Sequence, residues 1–551
     1  MTLPLRSEEK SMEAEMDARS VAYDVIVVGA GSAGCIVAGR LAAETEARVL
    51  VLEDGGRDWS PLISIPAGFS KLLEYGQFMY PYETVPQQHL GGRRIPLVQG
   101  RGLGGSGSIN AMVWVIGQPR DYDAWQVAAG DGDAWSFADM LPHFRAMEGN
   151  EVFAGPTHGS DGPVTVSQPL AIAPINRAVL KAFQQVGLPY NPDYNGGRQS
   201  GVGPCQLNMA NAERCSSAHA YLHPAETRPN LTVRTDALVT RVIVEGDRAV
   251  GVELMHSGVV ERVYAAEIVL SAGALSTPRL LMLSGIGPEA ELARHGIPLA
   301  VRSEGVGDNL HDHPEVPVIA QSHTEMGYLK DSSLFGAFKA GLRYIGTKSG
   351  PASSNGIETV AHFNPEFPDQ EPTVQCFHAP VIARRALGQL DPEPGLTLEN
   401  VVLQPKSRGR LTLKDADPRS MALIDPNYLA HPDDMRTMLL GLRYAREVLN
   451  APALKAVLKP ELLPGAAVQS DADLTAYARE NMSCMLHPVG TCRMGRDDGA
   501  VVDASLRVRG VRGLRVIDAS IMPNIVSGNT NAAVMALAHK GTDMMLAEIA
   551  S

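Results

Sequence analysis

Aromatic side chains make up only 5% of the 551 residues, and cysteines number six. Cys35, Cys205, Cys215, Cys376, Cys484 and Cys492 nowhere stand in the C-x-x-C spacing of a zinc site or redox pair. Scattered along a chain without a secretory signal, they are expected to be reduced thiols of a cytoplasmic protein. The first twenty residues carry several acids and lack the apolar stretch that a signal peptide requires. No run reaches the ~18 uninterrupted apolar residues of a membrane-spanning helix. Positive charge is in deficit, 48 Lys and Arg against 61 Asp and Glu, for a net charge of −13. That balance argues against a nucleic-acid partner and against an anionic membrane surface. Glycine and proline are plentiful, at 54 and 38, without any collagen-like period. At about 150 residues per domain, the length implies two or more globular units with ample core.

The first ordered pattern begins at Asp24. Val25 to Val28 is a short β-branched run, as a buried parallel strand requires. Ser32 to Ala43 reads as a helix of small residues, and Arg48 to Leu52 as a second buried strand ending at Glu53. Between the first strand and the helix lies Gly29-Ala30-Gly31-Ser32-Ala33-Gly34, a G-x-G-x-x-G turn. Gly29 permits the tight turn, Gly31 lets the backbone approach a pyrophosphate, and Gly34 lets helix and strand pack. The helix N-terminus then offers free N–H groups to phosphate. Glu53 follows Gly34 by 19 residues, where a carboxylate can bind ribose hydroxyls. This is a dinucleotide site, and the acid favours FAD or NAD over NADP.

Further along, Asn230 to Glu253 alternates apolar and polar residues and reads as an antiparallel meander. Glu267 to Ala272 is another buried strand, leading into a helix at Pro278 to Ser284. Arg512 to Ala519 is read as a strand and Asn531 to Ile549 as a helix. The strands of the expected parallel sheet lie far apart, so a second unit is expected to be inserted into the first.

Gly100-Arg101-Gly102-Leu103-Gly104-Gly105-Ser106-Gly107-Ser108-Ile109-Asn110, with Ala111-Met112-Val113-Trp114 after it, resembles the first signature of the glucose–methanol–choline (GMC) flavin oxidoreductases. Gly273 through Gly287 resembles the second. Gly307-Asp308-Asn309-Leu310-His311-Asp312-His313, His487 to Cys492, and Asp518 through Asn531 resemble later family segments. The likeness runs in order from residue 24 to the C-terminus. It implies an α/β (α+β overall) protein: a Rossmann-like FAD-binding domain with an inserted substrate domain on an antiparallel sheet. The implied FAD unit comprises 20–155, 225–310 and 480–551, and the substrate unit 156–224 and 311–479. It also implies oxidation of an alcohol, in a primary position, by hydride transfer to flavin, with oxygen or a carrier such as a quinone as acceptor. A lyase or light-driven decarboxylase on the same fold is the competing reading.

The resemblance assigns residues as well. Arg101, Gly104, Gly105, Ser106, Asn110 and Val113 in the glycine-rich segment, Val239 in the alternating segment, and Asp518 and Ala519 are expected at the cofactor, beside Gly29, Gly31, Ser32, Ala33, Gly34 and Glu53. Alcohol oxidation needs a base, and a histidine titrates near neutral pH. His487 matches the family's catalytic histidine, and Asn529 its second, oxygen-holding position. Asn531 is expected to contact flavin or cap the final helix. Ile109 stands where some relatives carry the histidine that binds FAD covalently, so non-covalent FAD is expected. His311 and His313, without further clustered ligands, read as a hydrogen-bonded turn, and no metal is expected. Met485 and Leu486 would make an apolar wall beside the substrate.

Overall fold

The computed structural model describes residues 23–130, 132, 134–383 and 393–550. The polar segment before residue 23 lies outside the described residues. Two seven-stranded sheets organise the rest. In the first, Tyr23–Val28 is central, because Val25 to Val28 can be buried on both faces. It pairs in parallel with Val49–Leu52 on one side and with Val259–Leu270 on the other. The helix Ser32–Glu44 connects the first two strands and buries nine of its small and apolar residues.

Val259–Leu270 is the joint of this sheet. Residues 259–264 close an antiparallel hairpin with Arg248–His256, and residues 265–270 run parallel between Tyr23–Val28 and Leu514–Val516. The segment expected to be one meander is therefore divided. Leu231–Arg234 lies parallel to Val49–Leu52 at the sheet edge, whereas Ala237–Glu245 pairs antiparallel with Arg248–His256. Asp236, with φ of 55°, breaks the two apart. A four-residue strand is too short for its periodicity to reveal the sense of its pairing. The expected strand from Arg512 to Ala519 is likewise shorter, Leu514–Val516, because Asp518 caps a tight turn at Ala519–Ile521.

The second sheet is antiparallel throughout, in the order Leu458–Leu463, Pro314–Ser322, Gly395–Val402, Val374–Ala379, Thr359–Phe363 and Gly201–Pro204. Ser483–Cys484 adds to it beside Pro314 and Glu315. This sheet is contributed by segments that enter and leave the first one, as an inserted unit does. All six cysteines are buried and unpaired. Among the described residues, no helix is long and apolar enough to cross a membrane.

The nucleotide helix packs so closely on its neighbours that one glycine is decisive. A Cβ on Gly39 would stand 2.6 Å from the carbonyl oxygen of Tyr221, a backbone atom that cannot turn aside. Gly39→Ala is therefore expected to destabilise this unit by ~1–3 kcal/mol, the usual cost of overpacking. A lower urea midpoint for flavin release would show it; an unchanged midpoint would mean that the helix shifts freely.

Candidate active site

A cavity of about 770 Å³ lies where the two sheets meet. Two helix N-termini open onto it. Ser32–Glu44 has Gly31 at its cap and Thr530–Ile549 has Asn529; neither has a side-chain cap or an acid in its first turn. Their positive ends are thus left for a ligand. Ser32 Oγ donates to Asn531 Oδ1 at 2.7 Å, which ties the two helix starts together. Asn531 therefore joins the helices rather than capping one. The glycine-rich turns touch as only glycines can: a Cβ on Gly105, at φ of 53°, would lie 2.7 Å from Gly31 Cα.

Gly29, Gly31, Ser32, Ala33, Glu53, Gly105, Ser106, Asn110, Val113, Val239, Asp518, Ala519 and Asn531 line this cavity, together with His487 and Asn529. Gly34, Arg101 and Gly104 stand outside its wall. A Cβ on Gly34 would strike the Gly29 carbonyl oxygen at 1.9 Å, so its work is helix packing. Arg101 turns to Asp54, with Nε 2.9 Å from Oδ2. Gly104 donates its N–H to the Ala30 carbonyl at 2.7 Å and holds the two loops together. Asn110 Oδ1 accepts from the Met112 N–H and from Arg214 Nη1.

Two buried acids pin the loops. Glu53 Oε2 accepts from the Ala30 N–H at 2.8 Å, and Oε1 from those of Gly55 and Gly102 at 2.9 Å each. Burial raises its pKa against the pull of these amides. One lone-pair site on Oε2 remains for a ribose hydroxyl. Asp518 has none to spare: Oδ2 accepts from the Gly273 N–H and Thr277 Oγ1, and Oδ1 from the N–H and hydroxyl of Ser520. Its carboxylate holds the turn that follows the strand Leu514–Val516 against Gly273 and Thr277.

The histidines come together through strand pairing. Residues 483–489 run antiparallel to 311–315: Pro314 faces Cys484, the Met485 N–H donates to the His313 carbonyl, and His311 bridges to Val489. Asp312 Oδ1 accepts from the backbone N–H of both His313 and His487, and Oδ2 accepts from the Tyr428 hydroxyl. His487 then follows Leu486, whose φ of 62° turns the chain. Its Nδ1 lies 3.0 Å from His313 Nδ1, and its Nε2 3.5 Å from Asn529 Nδ2.

Proton positions follow from the partners. His313 Nε2 is 2.9 Å from the Leu403 carbonyl, which only accepts, so Nε2 carries the hydrogen. Burial pushes His313 down to about 4, so the ring is neutral and its Nδ1 is bare. His487 must therefore donate from Nδ1, leaving Nε2 bare and turned toward Asn529. Burial, with His313 beside it, also holds the His487 pKa well below 6.5. Asn529 Oδ1 is buried without a partner. His311 is spent structurally, donating from Nδ1 to the Asn309 carbonyl and accepting the Ile525 N–H at Nε2. His313 and Asp312 are the functional candidates that sequence reasoning missed, since nothing in spacing links residue 313 to residue 487.

The remaining wall is largely apolar, with Met485, Leu486, Ile357 and Phe377 among it. Glu315 and Glu399 also face the cavity; burial raises both, and Glu399 adds to the push on Glu315. FAD fits these residues. Uncapped helix ends suit its diphosphate, Glu53 its ribose, and the unpaired Asn529 oxygen marks a place for a polar group.

Glu53→Gln is expected to replace one acceptor by an NH₂ group facing backbone N–H donors. Charge-assisted hydrogen bonds contribute ~1.5–3 kcal/mol, so FAD affinity should fall by roughly ten-fold or more. Titration of the apoprotein with FAD measures this; an unchanged affinity removes Glu53 from the cofactor site.

Residues 23–315 and 405–538 match the N-terminal and C-terminal models of the family described as GMC oxidoreductase. The chain is 40% identical over 536 residues to an alcohol dehydrogenase [acceptor] of Pseudomonas putida, covering 96% of each. It is 36% identical over 526 residues to an oxygen-dependent choline dehydrogenase of Brucella anthropi, covering 95% of each. The crystal structure of pyridoxine 4-oxidase from Mesorbium loti superposes with a TM-score of 0.86 at 30% identity, covering 95% of this chain and 98% of that one. The chain belongs to the GMC oxidoreductase family, and it is an FAD-dependent oxidoreductase acting on CH–OH groups.

Proposed function

We propose that the protein oxidises a primary alcohol to the aldehyde, with His487 as base, Asn529 as the holder of the alcohol oxygen, and FAD bound without a covalent link. The observation that carries this reading is the bare Nε2 of His487 in the cavity wall with the Asn529 amide nitrogen 3.5 Å from it. FAD supplies the acceptor for the hydride of the alcohol carbon. The alcohol hydroxyl donates to His487 Nε2 and gives up its proton there. Asn529 Nδ2 donates to the same oxygen as negative charge grows on it. Asp312 fixes the backbone of both histidines, and His313 keeps the proton of His487 on Nδ1. Met485 and Leu486 make this part of the wall apolar.

His487→Ala should slow flavin reduction by ~10²–10⁴-fold, the range for loss of a general base. Asn529→Ala should cost ~1–3 kcal/mol of barrier, as for an unpaired buried polar group. The sign of the pH effect follows from the base. Because His487 titrates below 6.5, reduction should be flat at neutral pH and fall only as acid protonates Nε2. That acidic limb should vanish in His487→Ala, persist in Asn529→Ala, and move to higher pH in His313→Ala, where water relieves the burial of His487. Anaerobic stopped-flow with a panel of primary alcohols measures all of this. Reduction in His487→Ala within a few-fold of wild type would end the assignment.

Ile109 is 5% exposed and lines the cavity, and its alkyl chain forms no bond to flavin. Acid precipitation should therefore release all the yellow colour into the supernatant. Flavin retained on the pellet would mean that another residue is attached to it.

A further inference from the structure

The helix Leu334–Thr347 forms part of the cavity mouth, with Ala337, Ala340 and Gly341 in the wall. Among its described side chains Ala340 and Tyr344 are buried, and the Tyr344 hydroxyl donates to the Ala212 carbonyl at 2.9 Å, seating the helix on the protein. Its outer side carries large apolar side chains. Phe335, Phe338, Leu342 and Ile345 are 72%, 63%, 56% and 77% exposed. At ~100° per residue these four fall within a stripe ~80° wide. Lys339 and Arg343 border that stripe on one side, a further ~40–80° around the helix. The Lys339 ammonium lies 5.5 Å from the centre of the Phe335 ring.

Charge on this segment opposes that of the whole. The chain carries −13, yet residues 330–348 contain Lys330, Lys339, Arg343 and Lys348 against the single acid Asp331, and of these cations Lys348 is paired with Glu213. Exposed aromatic and aliphatic side chains beside cations, on a helix too short to span a bilayer, are the pattern of a helix lying in a lipid interface. A contiguous apolar strip of this kind on a water-exposed surface has a cost unless something covers it. The cations select among covers: a two-fold contact of this strip with a second copy would set the same cations against one another, whereas an anionic bilayer supplies negative charge and apolar depth together.

We propose that the Leu334–Thr347 helix docks this enzyme on an anionic lipid surface, so that the cavity mouth opens at the membrane and draws apolar alcohols from it. The second half of this statement rests on the reading of the cavity as the alcohol site; the docking itself does not. The overall negative charge, which from composition argues against such a surface, is overridden locally because screening confines electrostatic attraction to about 10 Å at moderate salt.

Flotation of the FAD-loaded, full-length protein with phosphatidylcholine vesicles, with and without phosphatidylglycerol, tests the docking. Wild type should float with the anionic vesicles, less so at high salt. Phe338→Glu with Leu342→Glu, and separately Lys339→Glu with Arg343→Glu, should each lower the bound fraction by about ten-fold or more. Flavin content and oxidation of a short water-soluble alcohol should stay at wild-type levels, because none of these four side chains lines the cavity. Wild type left at the bottom of the gradient, or variants that float equally well, would overturn the proposal. So would sedimentation showing that the glutamate substitutions split a dimer, since the strip would then be covered by a second copy. An enzyme that floats as expected yet oxidises no alcohol would leave docking standing and defeat the catalytic reading instead.

Discussion

The antiparallel pairing of residues 311–315 with 483–489 is the contact on which the site depends. It splices a C-terminal segment onto the start of the strand Pro314–Ser322 and so fastens the inserted sheet to the chain that returns to the first one. The same ladder sets His313 and His487 ring to ring. Asp312 makes the arrangement rigid, since one carboxylate oxygen takes the backbone N–H of both histidines. A buried acid with three donors is costly to disturb, because each donor released would be left without water to replace it. Geometry then decides chemistry. A single carbonyl, that of Leu403, fixes the tautomer of His313, and through it that of His487.

The other half of the site is built by electrostatics of the backbone. Two helices begin at the cavity without caps and without acids in their first turns. Isolated, each such end would be improved by an Asp or Ser. Together they leave a region of positive potential suited to a diphosphate-bearing cofactor. Glu53 is the counterweight: it gathers the amides of Ala30, Gly55 and Gly102, and so locks the glycine turn to the loop after residue 100. Stability given up at the helix starts is offset by the buried acid and by glycine contacts too close for any side chain.

Much of this was legible in residue order. The β-branched run at Val25–Val28, the glycine turn, the small-residue helix and Glu53 announce a dinucleotide unit, because each element serves a local geometric need. The resemblance carried by the segments near residues 100, 273, 307, 487 and 518 pointed to the family and to His487 and Asn529. Legibility failed where a residue's role depends on a partner distant in sequence. Leu231–Arg234 looks like part of a hairpin until Val49–Leu52 is placed beside it. Arg101 was expected at the cofactor, yet it stands outside the cavity wall and pairs with Asp54, while Asp518 lines the cavity with its carboxylate already bonded to Gly273, Thr277 and Ser520.

The sequence by itself determined the dinucleotide-binding unit and pointed to an inserted second unit, since these follow from local motifs whose backbone and side-chain chemistry permit few alternatives; the resemblance of its later segments added FAD and singled out His487 and Asn529 as the candidate catalytic pair. Only the tertiary structure decided which nitrogen of His487 is free, that His313 and not His311 stands behind it, and that an apolar, basic-edged helix borders the cavity mouth. Tautomer, burial and exposure are properties of what surrounds a residue, and residues 313, 403, 487 and 529 become neighbours only when the two sheets close on one another.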